Sequence, residues 1–427
     1  MERHGLTHLL IGPDRPRQAV ERTPVADQPD MASESAHWAM AHVPVIAVSF
    51  AHIQMTIADL EDGGRMQDIN QDLAKTIQKW IDEYDGEDLV ISVAKLQGDP
   101  GDLQVLPPNI EKVKSVSKVD LSGTRFADIS VLARFTEMRN LVLNSTPAAD
   151  LSALACFKRL EVLSLRDVPM TDLSFIRGMK SLKALDISGA GITDFSALAS
   201  CRNLAEVNLN ETAISDLSPL SGLKKLQHVN LDGTRINALA PLAGLKSLSE
   251  LSVSRTGIDN LEPLSSLTKL KRMRIDRTGV CDLSPLSDAI KMTDLSANHC
   301  AIKDLTPLAG MTKLSCVYLG STQVSDISPI AGNKLRDLYL DGSQLADLMP
   351  IKGNRSIPRI DIRRTGLSFR DTPIAKQDPD GFGAISEMDS AYARSDALYR
   401  YFRKIRAWHL KTPLQPLVLE PVPAPPK

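Results

Sequence analysis

Two groups of residues in this chain have types and spacing that could act on another molecule. The first is cationic and aromatic. Arg255, Arg277 and His299 stand 22 residues apart, Arg272 and Asp294 share that interval, and Tyr318 and Tyr339 are 21 apart. Arg274, Asp276 and Asn298 lie among them. A guanidinium pairs with a carboxylate through a two-bonded fork, and a tyrosine offers a large rigid contact with few rotamers to lose. Both types are enriched at interface hot spots. These ten residues are therefore the candidate partner-binding set, suited to a protein surface that presents acidic groups. Earlier in the chain the equivalent positions hold smaller or acidic residues, among them Asp186, Ser188, Glu206, Asn208 and Asp232.

The second group is acidic. Asp216, Asp282, Asp304 and Asp326 each precede Leu or Ile and then Ser-Pro or Thr-Pro. Paired carboxylates can exchange protons with a substrate, but this place in front of a helix-opening dipeptide assigns them to capping a turn. Other chemistry is not signalled. GxxxxGK[ST], HExxH, GxSxG and CxxC are all missing from the chain. The eight histidines are scattered without metal-ligand spacing. Asp378, Asp380 and Gly381 resemble the start of a calcium loop, but Pro379 interrupts it and the downstream ligands are missing. Five cysteines at irregular spacing give no disulfide framework and point to a reducing compartment. No enzyme activity, metal or cofactor is expected.

What must position these residues is a repeat. Lines of 22 residues begin at Leu160, Leu182, Leu204, Leu226, Leu248, Leu270, Met292 and Leu314. One residue is then lost, with lines at Leu335 and Ile357, and Met138 and Val116 extend the series backwards to about twelve. In each line the alternation of Leu160, Leu163 and Leu165 is that of a short strand. A column of Thr follows, including Thr124, Thr146, Thr212, Thr234, Thr278 and Thr322, whose hydroxyls are expected to bond to backbone and stack as a ladder. Ser218-Pro219 and its equivalents predict an N-cap with Pro at the first helical position. Leu220, Leu223 and Leu226 then point inward from a short helical turn. One line cannot close a core, so stacking must supply it, with strands about 4.8 Å apart.

The pattern L-x-x-L-x-L-x-x-T-x-I-x-D-L-S-P-L resembles the 22-residue leucine-rich repeats of bacterial internalin-like proteins over 116–370. The resemblance implies an α/β solenoid: a right-handed leucine-rich-repeat array with a parallel β-sheet on its concave face, short helical turns on its convex face and helical caps at both ends. It also implies protein binding on the concave face, without fixing the partner.

Residues 1–35 have the composition of a disordered segment. An N-terminal cap covers 36–115, with a helix at about 64–85 (Met66, Ile69, Leu73, Ile77, Trp80, Ile81) and a long first repeat opening on the strand Asp88–Leu96. A C-terminal cap helix lies in 371–411, and 412–427 is an extended Pro-rich tail. The formal net charge of −2 gives no bulk support for nucleic-acid binding, and no stretch is long and apolar enough to span a bilayer. The expected partner is a protein, with neither nucleic acid nor membrane, and the chain is expected to be a monomer. A cytoplasmic location is expected because 36–53 lacks the Lys/Arg-rich start of a signal peptide; a secreted or surface effector acting on a host protein is the alternative.

Overall fold

In the computed structural model, residues 103–106 and 108–345 are described nearly without interruption, with further pieces at 89–92, 350–351 and 357–362 and the single positions 79, 81, 365, 397 and 400. All belong to one compact unit, Leu60–Lys427. Thirteen strands form one parallel sheet in strict chain order. They are β1 (Leu89–Ser92), β2 (Val116–Asp120), β3 (Asn140–Val142), β4 (Val162–Ser164), β5 (Ala184–Asp186), β6 (Glu206–Asn208) and β7 (His228–Asn230). They continue with β8 (Glu250–Ser252), β9 (Arg272–Arg274), β10 (Asp294–Ser296), β11 (Cys316–Tyr318), β12 (Asp337–Tyr339) and β13 (Arg359–Asp361). From β3 to β11 every strand pairs residue for residue with the one 22 positions on. Between β11 and β12 the interval falls to 21, and Tyr318 still meets Tyr339. This is an open leucine-rich-repeat solenoid.

The apolar columns explain the stacking. In the repeat around β6, Leu204, Val207, Leu209, Ile214, Leu217, Leu220, Leu223 and Leu226 are all buried. Alternation puts the middle residue of each strand into the core, while the first and third stay on the open face of the sheet. Past β6 the coil advances in steps of three, since Leu220, Leu223 and Leu226 each donate a backbone hydrogen bond to the carbonyl three residues before. That period gives 3-10 turns, such as Ser218–Leu220, instead of a longer helix.

Three local devices shape each turn. The serine or threonine before Pro is not the capping group. Asp216 Oδ1 accepts the Ser218 N–H at 2.8 Å, and Ser218 Oγ donates to the same oxygen at 2.6 Å. Asp282, Asp304 and Asp326 likewise accept the backbone N–H two residues on, at 2.8 Å each. The aspartate side chain reaches two residues forward, as in other Asx turns, and outcompetes the shorter hydroxyl. The threonine hydroxyls bond to backbone as expected, and Thr278 also meets the next repeat at Cys300 Sγ, 3.5 Å away. Thr212 Oγ1 donates to Leu209 O at 2.7 Å and Thr278 Oγ1 to Ile275 O at 2.7 Å, each within its own repeat.

The third device is a column in left-handed backbone conformation, one residue per repeat. It holds Gly123, Ser145, Asp167, Gly189, Glu211, Gly233, Arg255, Arg277, His299, Ser321 and Gly342, with φ between +55° and +72°. The turn carries the sheet's hydrogen bonding past the strand: Arg277 N–H reaches Asn298 O at 2.8 Å in the next repeat. Gly suits the position because it has no Cβ to clash.

Of the caps, the structure describes only fragments. Lys79 and Ile81 are helical and Ile81 is buried. Ala397 and Arg400 are helical, and Ala397 packs on the core. The rest of both expected cap helices, 1–35, the Pro-rich tail and the 378–381 loop lie outside the described residues.

Candidate partner-binding face

The open face of the sheet is built from the first and third residue of each strand. Over β3 to β5 it is small and nearly uncharged, with Asn140, Val162 and Ala184 in the first column and Val142, Ser164 and Asp186 in the third. From β6 onward it becomes ionic. The first column reads Glu206, His228, Glu250, Arg272, Asp294, Cys316, Asp337 and Arg359. Register brings carboxylates beside basic side chains. His228 Nδ1 lies 3.2 Å from Glu206 Oε1, and its Nε2 lies 3.6 Å from Glu250 Oε1. Glu250 is buried and also takes a close ion pair from Arg272. Arg272 is therefore held by a carboxylate of its own chain.

In the third column of β9, Arg274 Nε stands 3.8 Å from Asp276 Oδ2, and both side chains are only 13% exposed. Asp276 is already engaged. Its Oδ1 accepts Ser296 Oγ at 2.6 Å, Asn298 N–H at 2.7 Å and Asn298 Nδ2 at 3.0 Å. Asn298 in turn accepts the Gly320 N–H at 2.7 Å. Asp232 has the same role two repeats earlier, taking Ser252 Oγ and Ser254 N–H at 2.6 Å each. This column, one residue before the left-handed position, is the true inter-repeat ladder. Asp276 and Asn298, expected to face a partner, are struts within it.

Arg255, Arg277 and His299 do share a column, as their spacing implies, but it is the left-handed column just past β8, β9 and β10. They line the exposed rim beside the sheet and not the strands themselves. Arg255 reaches back across two repeats to Glu211, Nη2 to Oε1 2.6 Å. Asp294 is half-buried on β10 and accepts Thr293 Oγ1 at 2.5 Å.

Tyr318 and Tyr339 come together as expected. Their rings stack with centroids 5.0 Å apart and planes inclined by 26°, both partly exposed. Beneath them is a group that sequence spacing did not single out. Asp337, with no exposed surface, accepts Arg359 Nε on Oδ1 and Arg359 Nη2 on Oδ2, both at 2.5 Å. Its Oδ2 also accepts Arg336 Nε at 3.1 Å, the Cys316 thiol at 3.3 Å and the Tyr318 hydroxyl at 3.3 Å. Burial alone would raise the Asp337 carboxyl. The hydrogen bonds from Arg359 and Cys316, with the charges of Arg359 and Arg336, outweigh it and hold the group below the usual carboxylate range. The interval of 22 between Asp337 and Arg359 was the available signal; it is easily missed beside the one-residue deletion.

The cysteine on this face, Cys316, is not an ordinary nucleophile. Burial, then the adjacent Asp294 and Asp337 carboxylates, push the Cys316 thiol up to about 12, so it stays protonated and donates a hydrogen bond. Cys201 and Cys300 are likewise raised, chiefly by burial. Among the described residues no group of three His, Cys, Asp or Glu is placed to hold a metal ion. No helix among them is long and apolar enough to cross a membrane.

No protein-family model matches the chain, and no curated protein matches it in sequence. Solved structures do. An internalin (inlF) from Listeria monocytogenes is 25% identical, with 71% of this chain and 86% of that one covered and a TM-score of 0.59. A TDR receptor is 15% identical, with 61% and 49% covered and a TM-score of 0.54. The chain thus shares a leucine-rich-repeat architecture with internalin (inlF).

Proposed function

We propose that this chain is a non-enzymatic scaffold that binds a protein partner on the open, concave face of its sheet, over β9 to β12. The observation that carries the reading is the stacked Tyr318–Tyr339 pair, partly exposed and anchored from below through the Tyr318 hydroxyl. A partly exposed, rigid aromatic platform offers a large contact area and has the character of an interface hot spot. Arg272 and Arg274 flank it on β9, and a partner carboxylate would compete with Glu250 and Asp276 for them. The tyrosines then supply contact, and the arginines select register. Arg277 and His299, exposed on the rim, would meet the same partner from the side.

The test is a partner captured with the full chain and titrated against two double variants. Arg274→Ala with Tyr318→Ala should weaken binding by about 2–4 kcal/mol if both are hot spots. Asp186→Ala with Asn208→Ala, on β5 and β6, should cost much less. Equal affinities for the two would refute the proposed location. A second reading, a secreted or surface effector acting on a host protein, is favoured by the likeness to internalin (inlF). Fractionation of the native cell separates it from a cytoplasmic scaffold.

A further inference from the structure

The cations of the open face are mostly answered by carboxylates of the same chain; those at another edge are not. Each repeat enters its strand through a two-residue tip flanked by buried apolar side chains, as Leu223 and Leu226 flank 224–225. From β4 to β12 the tips are 158–159, 180–181, 202–203, 224–225, 246–247, 268–269, 290–291, 312–313 and 333–334, the last in the shortened repeat, where Gly332 replaces the first apolar flank; the tip before β3, Thr136-Glu137, is acidic and bounds the row. All nine carry Lys or Arg and none carries Asp or Glu. All eleven of these cations are exposed. Arg159 pairs with Glu137; no other makes an ion pair among the described residues. The sheet is in register, so the tips follow one another at the strand spacing of about 4.8 Å and make a continuous row roughly 40 Å long. The aspartates that balance it, Asp128 to Asp216 and Asp282 to Asp326, sit before the 3-10 turns, about eight residues earlier in each coil. A net charge of −2 therefore hides two segregated columns.

We infer that this row is a docking edge for an anionic lipid surface. Its composition selects against the alternatives. Nine of the eleven cations are Lys and two are Arg. Lys is depleted at protein interfaces, where Arg and aromatic rings act as anchors. The tips hold no aromatic ring on which an unpaired base could stack. A row of flexible point charges, one tip per strand spacing, meets a sheet of headgroups along one edge, whereas the phosphates of a double helix wind away from it. Clusters of four to eight Lys or Arg already suffice for attraction to anionic leaflets. Ile290, 56% exposed, occupies one tip of the same row and is one of two large apolar side chains exposed among the described residues. It is placed to enter the boundary between headgroups and acyl chains.

The experiment is sedimentation of the full chain with phosphatidylcholine vesicles carrying, or lacking, about a third phosphatidylserine. The protein should pellet with the anionic vesicles at low salt, stay in solution with the neutral ones, and be released at about 0.5 M salt. Each lysine near such a surface is worth about fivefold in partition. Lys180→Gln, Lys224→Gln and Lys246→Gln together should then lower partition about a hundredfold with unchanged melting. A second triple, Lys269→Gln, Lys291→Gln and Lys313→Gln, should cost a similar factor because the row is continuous. Neutralising Asp172, Asp194 and Asp216 to Asn should not weaken binding. Three outcomes would overturn the inference: no dependence on phosphatidylserine, both lysine triples binding like the unaltered chain, or retention of a DNA duplex by these lysines while the vesicles are ignored.

Discussion

Replacing Asp337 by Ala tests whether the cluster beneath the tyrosine pair holds the last repeats together. The carboxylate is wholly buried and serves four donor groups: the forked Arg359, Arg336, the Cys316 thiol and the Tyr318 hydroxyl. Its removal leaves two guanidinium groups facing each other over buried, unsatisfied donors. Breaking a buried ion pair from one side costs about 3–5 kcal/mol. The side chains of Arg336 and Arg359 are 60% and 33% exposed and can regain water, which places the loss at the low end, about 3 kcal/mol. Coupling in a solenoid is between neighbours, so the damage should stay within β11 to β13. The reporters are the amides of Leu319 and Leu340, which donate to Tyr339 O and Asp361 O at 2.7 Å each. Their hydrogen-exchange protection should fall about a hundredfold, while amides in β3 to β5 keep theirs. Acid should act through the same group. The Asp337 carboxyl is held below its ordinary value, so its stabilisation is complete above the unfolded value of about 3.9 and is lost as pH falls through the lower folded one. Corrected protection at these two amides should be flat near neutrality, fall below about pH 4 in the unaltered chain, and show no such step in Asp337→Ala. Unchanged protection at Leu319 and Leu340 in the variant would refute the reasoning.

Two further predictions concern the coil itself. Leu231 is fully buried, and Leu231→Asp puts a charge among packed leucines at a cost of several kcal/mol; a thermal melt identical to that of the unaltered chain would contradict the register. Arg277 occupies the left-handed column at φ +57°, where Gly avoids a Cβ penalty, so Arg277→Gly should raise stability by up to about 1 kcal/mol, read as a higher urea midpoint; a lower midpoint would mean that the Arg277 side chain contributes more by contact than its backbone costs.

The sequence makes the solenoid legible because its signal is repeated. Strand positions follow from alternation around Leu163 or Leu295, and the core from columns such as Leu220, Leu223 and Leu226, all buried as their spacing implies. The local chemistry is harder to read, because several groups in one repeat compete for the same backbone donor. Asp216 and Ser218 can both cap the turn, and only geometry decides that the aspartate does. Thr212 and Asn210 are both plausible bridges between repeats; the column of Asn210 is where the bridges form, at Asp232 and Asp276, while Thr212 bonds within its own coil.

The partner-binding set shows the same limit in its sharpest form. A column tells which side chains are neighbours, and so it finds Tyr318 beside Tyr339 and Arg255 in line with Arg277. It does not tell which of two neighbours is already satisfied. Arg272 looks like a free cation until Glu250, 22 residues before it, is seen to hold it, and Asp276 looks like an anion offered to solvent until Ser296 and Asn298 are seen to take it. Charge on the open face is thus largely spent within the sheet, while charge at the strand-entering tips is not. In the proposed reading, affinity on the face would come mainly from contact at the tyrosine pair, and long-range attraction from the edge. The two surfaces can be separated by salt: binding at the tyrosine face, where only Arg272 and Arg274 would meet carboxylates, should fall modestly with ionic strength, and binding at the lysine row should collapse.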